Sequence, residues 1–287
     1  MSAPEPFFER TFESGGRGVL YCGDMRELVP RLFPCRSREG SSAEGSSAEG
    51  QPEGGGPFGR PDLIFADPPY GQTSTEWDTW PDGWPAVAAR AVKKTGSMWC
   101  CGTARMLFRW GGALSAAGWH FGHEVVWEKH NGAGLRTDRF RAIHENVYHF
   151  YRDDARWGNV YKNVQREETS APPPSARNTK PGHFGGENRY VPTGRKKRLK
   201  QSIIYARSMQ GRALNKTQKP GRLLLPLIEY GCPPGGLILA PFSGAGTAID
   251  VARRTGRTCV AIEKRPRQCE RAVERLSQRA MALQQKR

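Results

Sequence analysis

The sequence predicts an α/β protein built on a doubly wound, mostly parallel sheet of seven strands, broken once by a basic insertion. Three observations predict it. Short apolar runs of strand length alternate with segments of helical period along most of the 287 residues, which is the pattern of a sheet covered by helices on both faces. Two of the runs end in turns of special composition, Asp67-Pro68-Pro69-Tyr70 and Pro241-Phe242-Ser243-Gly244-Ala245-Gly246-Thr247. Between those turns lies a polar, Pro- and Gly-rich, basic stretch, residues 152–212, with neither period.

Taken in order, residues 18–22 form the first strand, closed by Gly23-Asp24, and a short helix over 25–32 follows. Residues 36–60 lose all periodicity and contain a direct Glu-Gly-Ser-Ser-Ala repeat; they read as a flexible low-complexity loop. Residues 61–66 are a buried strand ending at Asp67. A helix over 84–94, a strand over 97–101, a helix over 104–117 and strands over 123–127 and 145–151 complete the first half, residues 1–151. After the insertion the alternation resumes in residues 213–287. There a helix over 223–230, a strand over 237–240, a helix over 247–254, a strand over 258–262 and a helix over 266–283 are expected.

Composition narrows the partners. Lys and Arg number 44 against 28 Asp and Glu, a formal net charge of +16, which favours a polyanion through phosphate neutralisation and counterion release. There is no run of eighteen apolar residues and no basic-then-apolar leader at Met1, so a soluble, cytoplasmic protein without membrane contact is expected. The seven cysteines lack the paired short spacings of a zinc site or a disulfide framework. Cys100 and Cys101, upstream of His120 and His123, would point to opposite faces of a strand, so no metal site is expected.

The glycines of the 241–247 turn let backbone approach a ligand at a helix N-terminus. No Gly-Lys-Ser/Thr follows and the third glycine of the dinucleotide fingerprint is missing. Glu263 at the next strand tip offers a carboxylate to both hydroxyls of a ribose, which together with the glycines describes an adenosine pocket. At the other turn, two prolines stiffen the chain, leaving the Pro68 carbonyl and the Asp67 carboxylate as paired acceptors. Such a pair matches the two hydrogens of an exocyclic amino group, and Tyr70 supplies a face for stacking an unpaired base.

These residues resemble the amino DNA methyltransferases that use S-adenosylmethionine, in the permuted order where the catalytic motif precedes the cofactor motif. The resemblance implies a Rossmann-like methyltransferase sheet and transfer of a methyl group to adenine N6 in double-stranded DNA. By resemblance, Asp67, Pro68, Pro69 and Tyr70 are catalytic, and Asp24 lies near the cofactor adenine. Pro241, Phe242, Ser243, Gly244, Gly246, Thr247 and Glu263 line the cofactor site. Lys219, in an Asn-Lys-Thr-Gln-Lys-Pro element similar to the family's, helps hold the methionine end, and His144-Glu145 matches the family's His-Glu pair. The insertion is the natural target-recognition region: Arg195, Lys196, Lys197, Arg198 and Lys200 suit phosphates, and Arg177, Asn178, Asn188 and Arg189 suit base edges. One departure stands out, because Ala240 occupies the position of the family's Asp before Pro-Phe, removing a charge-assisted partner for the methionine ammonium. N4-cytosine methylation and a noncatalytic DNA-binding relative are the alternatives. Nothing in the sequence decides the oligomeric state, and a homodimer is compatible with it.

Overall fold

A computed structural model describes residues 3–34, 56–133, 137–138, 140–168, 197–209 and 218–284. The elements, in chain order, are β1 (Phe8–Thr11), β2 (Arg17–Cys22), α1 (Met25–Leu32), β3 (Leu63–Ala66), α2 (Trp84–Ala91), β4 (Ser97–Gly102), α3 (Ala104–Ala116), β5 (Trp119–Ala133) and β6 (Ala142–Arg152). Then come β7 (Arg166–Glu168), β8 (Lys197–Leu199), β9 (Ile203–Tyr205), α4 (Gly221–Gly231), β10 (Leu237–Ala240), α5 (Thr247–Arg254), β11 (Thr258–Glu263) and α6 (Pro266–Gln284).

All seven expected strands form, but among the described residues the sheet has nine, in the order β1-β2-β11-β10-β3-β4-β6-β5-β9. The two additions sit at the edges: β1 pairs antiparallel with β2, and β9 pairs parallel with β5. Both escape a periodicity reading because they have four and three residues and take their conformation from the neighbouring strand. From β2 to β4 the pairing is parallel, and β6 runs antiparallel to both β4 and β5.

Strand alternation divides the core between the two faces. In β4, Trp99 and Cys101 face the helices α4, α5 and α6, whereas Met98 and Cys100 face α1, α2 and α3. The same split separates Leu63 and Phe65 from Ile64 and Ala66 in β3, and Cys259 and Ala261 from Val260 and Ile262 in β11. Two indole N–H groups cross from sheet to covering helices, Trp99 Nε1 to the Leu227 carbonyl and Trp119 Nε1 to Pro85, and Trp127 Nε1 donates to Ala206 just after β9.

Two compact units are distinguished, 1–163 with 202–287, and Val164–Gln201. The second is narrower than the expected 152–212 insertion. The insertion's ends belong to the first unit, because Arg152 completes β6 and β9 adds to the main sheet. Within the second unit β7 and β8 pair antiparallel and Arg198 Nε donates to Glu167 Oε1 at 2.8 Å. The 36–60 loop lies outside the described residues except for its last five, where Phe58 packs against Tyr21 and Phe33.

Candidate cofactor and target-base site

Strand order locates the site. β3 is followed by α2 and β4 on one side, whereas β10 is followed by α5 and β11 on the other, so the connections diverge where β10 and β3 lie side by side. Helices leaving a sheet in opposite directions open a crevice at the carboxyl ends of the strands, which is where open α/β sheets bind ligands. Here that crevice is lined by Phe65 in β3 and Asp67 after it, Gln218 and Lys219 before α4, Ala240 at the end of β10, and Phe242, Ser243, Gly244 and Thr247 beyond it.

On the β10–β11 side the turn is built around Glu263. Its Oε2 accepts from the Gly244 amide at 2.9 Å, and its Oε1 accepts from Arg265 through the amide at 3.0 Å and Nε at 2.9 Å. Gly246 has φ +72°, a conformation L side chains rarely adopt, and a Cβ there would also crowd Leu276 of α6 at 3.3 Å. Asp24 caps α1, accepting from the Arg26 amide, and pairs with Arg26 at 2.7 Å and Lys264 at 3.2 Å. The Arg26 hydrogen bond, working against burial, holds its carboxyl well below the usual range. Register places Cys22, two residues before Asp24, beside Glu263.

On the β3 side a chain of charges emerges that the sequence did not reveal. Lys219, 6% exposed, donates to Asp67 Oδ1 at 2.8 Å and Oδ2 at 2.9 Å, and lies 3.4 Å from Glu145 Oε2. Glu145 in turn pairs with Lys129, and Tyr70 donates its hydroxyl to Asp67 Oδ1 at 2.8 Å. Burial opposes the Lys219 ammonium, but Asp67 and Glu145 outweigh it, and the lysine is held above its ordinary value. Burial also raises Glu145, yet Lys219 and Lys129 dominate and keep it charged, with its value lowered. Tyr70 is pushed well above the ordinary phenol by burial and then by the Asp67 charge, so it remains a neutral donor.

The structure thus brings Asp67, Lys219, Phe242, Ser243, Gly244 and Thr247 around one cleft, with Tyr70 and Glu263 bonded to its walls. Pro241 and Gly246 shape the turn, and Asp24, paired with Arg26 and with Lys264 next to Glu263, lies outside the lining. Arg195, Lys196, Arg177, Asn178, Asn188 and Arg189 lie outside the described residues; Lys197, Arg198 and Lys200 are exposed. Three of the site's partners were given no role of their own from the sequence, although each falls in a family-like motif: Gln218 in the lining, and Lys129 and Glu145 on the charge chain. The last two belong to strands paired beside β4, and their distance in sequence from Asp67 hides the contact.

A family model of N6/N4 DNA methylases matches residues 61–274. The chain belongs to that DNA methylase family. As a family member it is 27% identical over 247 residues to the type II methyltransferase M.HinfI of Haemophilus influenzae, matching 75% of this chain and 62% of that protein. It is 25% identical over 240 residues to the type II methyltransferase M2.DpnII of Streptococcus pneumoniae, matching 75% of this chain and 82% of that one. Among solved structures, the M1.HpyAVI–SAM complex shares the fold with TM-score 0.59 at 17% identity, covering 90% of this chain and 99% of that one. The PvuII DNA methyltransferase (cytosine-N4-specific) does so with TM-score 0.57 at 14% identity, covering 92% and 88%.

The cleft fits S-adenosylmethionine on its own chemistry. Glu263 is a buried carboxylate at a strand tip beside a Gly-rich turn, and Lys219 lines the cleft with an ammonium suited to a carboxylate. Ala240, 1% exposed, also lines the cleft and brings no charge. Among the described residues no group of His, Cys, Asp and Glu is placed to hold a metal, and no helix is long and apolar enough to cross a membrane.

Proposed function

We propose that this protein transfers a methyl group from S-adenosylmethionine to the N6 amino group of an adenine in DNA. One observation carries the proposal: Asp67, the acceptor of the Asp-Pro-Pro-Tyr turn, lines the same cleft as the Gly-rich turn bonded to Glu263. A base amino group held at Asp67 therefore adjoins the site for a methyl donor. When bound, S-adenosylmethionine supplies the electrophilic methyl group.

The residues themselves do the rest. An aromatic amine is a weak nucleophile because its lone pair is delocalised into the ring. Accepting both of its N–H bonds, one at Asp67 and one at the Pro68 carbonyl, draws the nitrogen toward a tetrahedral, more nucleophilic state. Oδ1 of Asp67 already accepts from Lys219 and Tyr70, whereas Oδ2 accepts from Lys219 alone among the described residues. Oδ2 is thus the atom with capacity for an incoming N–H, and the Tyr70 hydroxyl fixes the carboxylate plane. Positioning and fixed charge supply most of the rate enhancement. Glu263 would accept the ribose hydroxyls, and Lys219 would hold the methionine carboxylate without losing Asp67. Lys197, Lys200 and their basic neighbours in the second unit would neutralise backbone phosphates.

Incubation with isotopically labelled cofactor and unmethylated DNA, followed by nucleoside mass spectrometry, tests the proposal. N6-methyladenine is expected; N4-methylcytosine, or no label in DNA, would overturn it. Asp67→Ala and Tyr70→Ala should lower turnover by orders of magnitude while cofactor binding survives, and unchanged rates in both would remove these residues from the mechanism.

A further inference from the structure

The turn that carries Tyr70 does not hold itself. Asp78, eight residues downstream and 7% exposed, accepts four consecutive backbone amides. Its Oδ1 takes Tyr70 at 2.8 Å and Gly71 at 3.0 Å, and its Oδ2 takes Gln72 at 2.9 Å and Thr73 at 2.6 Å. Gly71, with φ +67°, supplies the left-handed residue that lets successive N–H groups turn toward one point. An isolated buried carboxylate is costly, and four donors are what compensates it. Burial raises the Asp78 carboxyl, but the Thr73 side chain and the amides outweigh it, so it stays ionised and below its ordinary value.

The neighbour of Asp78 reaches the other half of the cleft. The Trp77 ring lies 4.8 Å under the Arg265 guanidinium carbon, and that same guanidinium donates to Glu263. The loop is closed at both ends: Gln72 Nε2 donates to Thr103 Oγ1 at 2.7 Å, and Trp80 stacks on Trp110 at 5.0 Å and 4°. A continuous path therefore runs from Glu263 through Arg265 and Trp77 to Asp78, the Tyr70 amide, and the Tyr70 hydroxyl on Asp67.

We propose that Asp78 is a positioning residue for methyl transfer, and that the 70–78 loop it organises couples the cofactor carboxylate Glu263 to the target-base residue Tyr70 through Arg265 and Trp77. This rests on the methyltransferase reading of the cleft. Asp78 touches neither ligand; it fixes the main chain that aims Tyr70. Ribose hydroxyls arriving at Glu263 compete with Arg265 for the same carboxylate, so cofactor occupancy bears on the Arg265–Trp77 contact and hence on the loop.

Two measurements on the full chain test it, one of them independent of DNA. In the first, amide hydrogen exchange is followed at residues 70–73 with and without S-adenosylmethionine. The wild type is expected to change its exchange there on cofactor addition, Trp77→Leu to lose that response, and Asp78→Asn to exchange at least about tenfold faster, since its amide N–H₂ meets backbone donors. In the second, single-turnover transfer of labelled methyl to unmethylated DNA is compared for Asp78→Asn, Tyr70→Ala and the double variant. Asp78→Asn should lose about a hundredfold in rate, the scale of a small misplacement of a reacting group, with cofactor Kd within about threefold of wild type. The double variant should be no slower than Tyr70→Ala, because the two act through one element. Additive losses, or unaltered exchange at 70–73 in Asp78→Asn, would overturn the inference. A wild type that shows the exchange response yet labels no DNA would overturn the methyltransferase reading and leave the coupling standing.

Discussion

Replacing Lys219 by Met is the most exacting test of the charge chain at the centre of the cleft. The substitution keeps the aliphatic stem and removes the ammonium that lies 2.8 and 2.9 Å from the Asp67 oxygens and 3.4 Å from Glu145 Oε2. Two carboxylates are then left facing each other, with Tyr70 and Lys129 as their partners among the described residues. Stranding a buried charge by removing its partner costs about 3–5 kcal/mol. The Asp67 and Glu145 side chains are 22% and 21% exposed, so solvent relieves part of this and about 3 kcal/mol is the better figure. For a domain of this size that lowers Tm by roughly 6–12 °C. The pH dependence gives the sharper signature. In the wild type Glu145 is held below its unfolded value, so its contribution is present above that value and disappears as pH falls through the lower folded one. Without Lys219 the largest influence lowering Glu145 is gone and burial raises it, so its penalty is relieved as it takes up a proton. The Tm difference between wild type and Lys219→Met should therefore shrink between pH 7 and pH 4.5, as followed by calorimetric melts. A difference that is constant or grows on acidification would refute the assignment of Lys219 as the shared counter-ion.

The remaining expectations concern the cofactor. Glu263→Ala removes the acceptor for Gly244, Arg265 and the ribose hydroxyls, and should weaken S-adenosylmethionine binding about 10- to 100-fold by calorimetry, the worth of one or two charge-assisted hydrogen bonds; an unchanged Kd would place the ribose elsewhere. Ala240→Asp restores a carboxylate to the cleft wall and should tighten the same Kd by about tenfold. Weaker binding in that variant would show that Asp67 and Glu145 already saturate the local need for negative charge.

Much of the fold was legible because burial leaves a direct mark on sequence. Residues 63–66 and 259–262 are uninterrupted apolar runs since both faces of a central strand are covered, and Gly246 suits its left-handed backbone beside α6. The seven-strand count fell short at β1 and β9, whose residues are half exposed and ordered mainly by an adjacent strand. The Asp-Pro-Pro-Tyr turn, the Gly-rich turn and Glu263 were readable for a different reason: each is a local device in which a few adjacent residues specify a conformation or a set of donors and acceptors.

What the sequence could not determine is which charges meet. Asp67 and Lys219 are separated by 152 positions, and nothing local to either names the other; only the juxtaposition of β3 with the turn before α4 makes them an ion pair. Asp78 shows the same limit at short range. It reads as one of many surface carboxylates until the loop folds back and presents four amides to it. Local propensity and burial are properties of neighbouring residues and can be read in order, whereas electrostatic partnership depends on distance through space, which the sheet order alone decides.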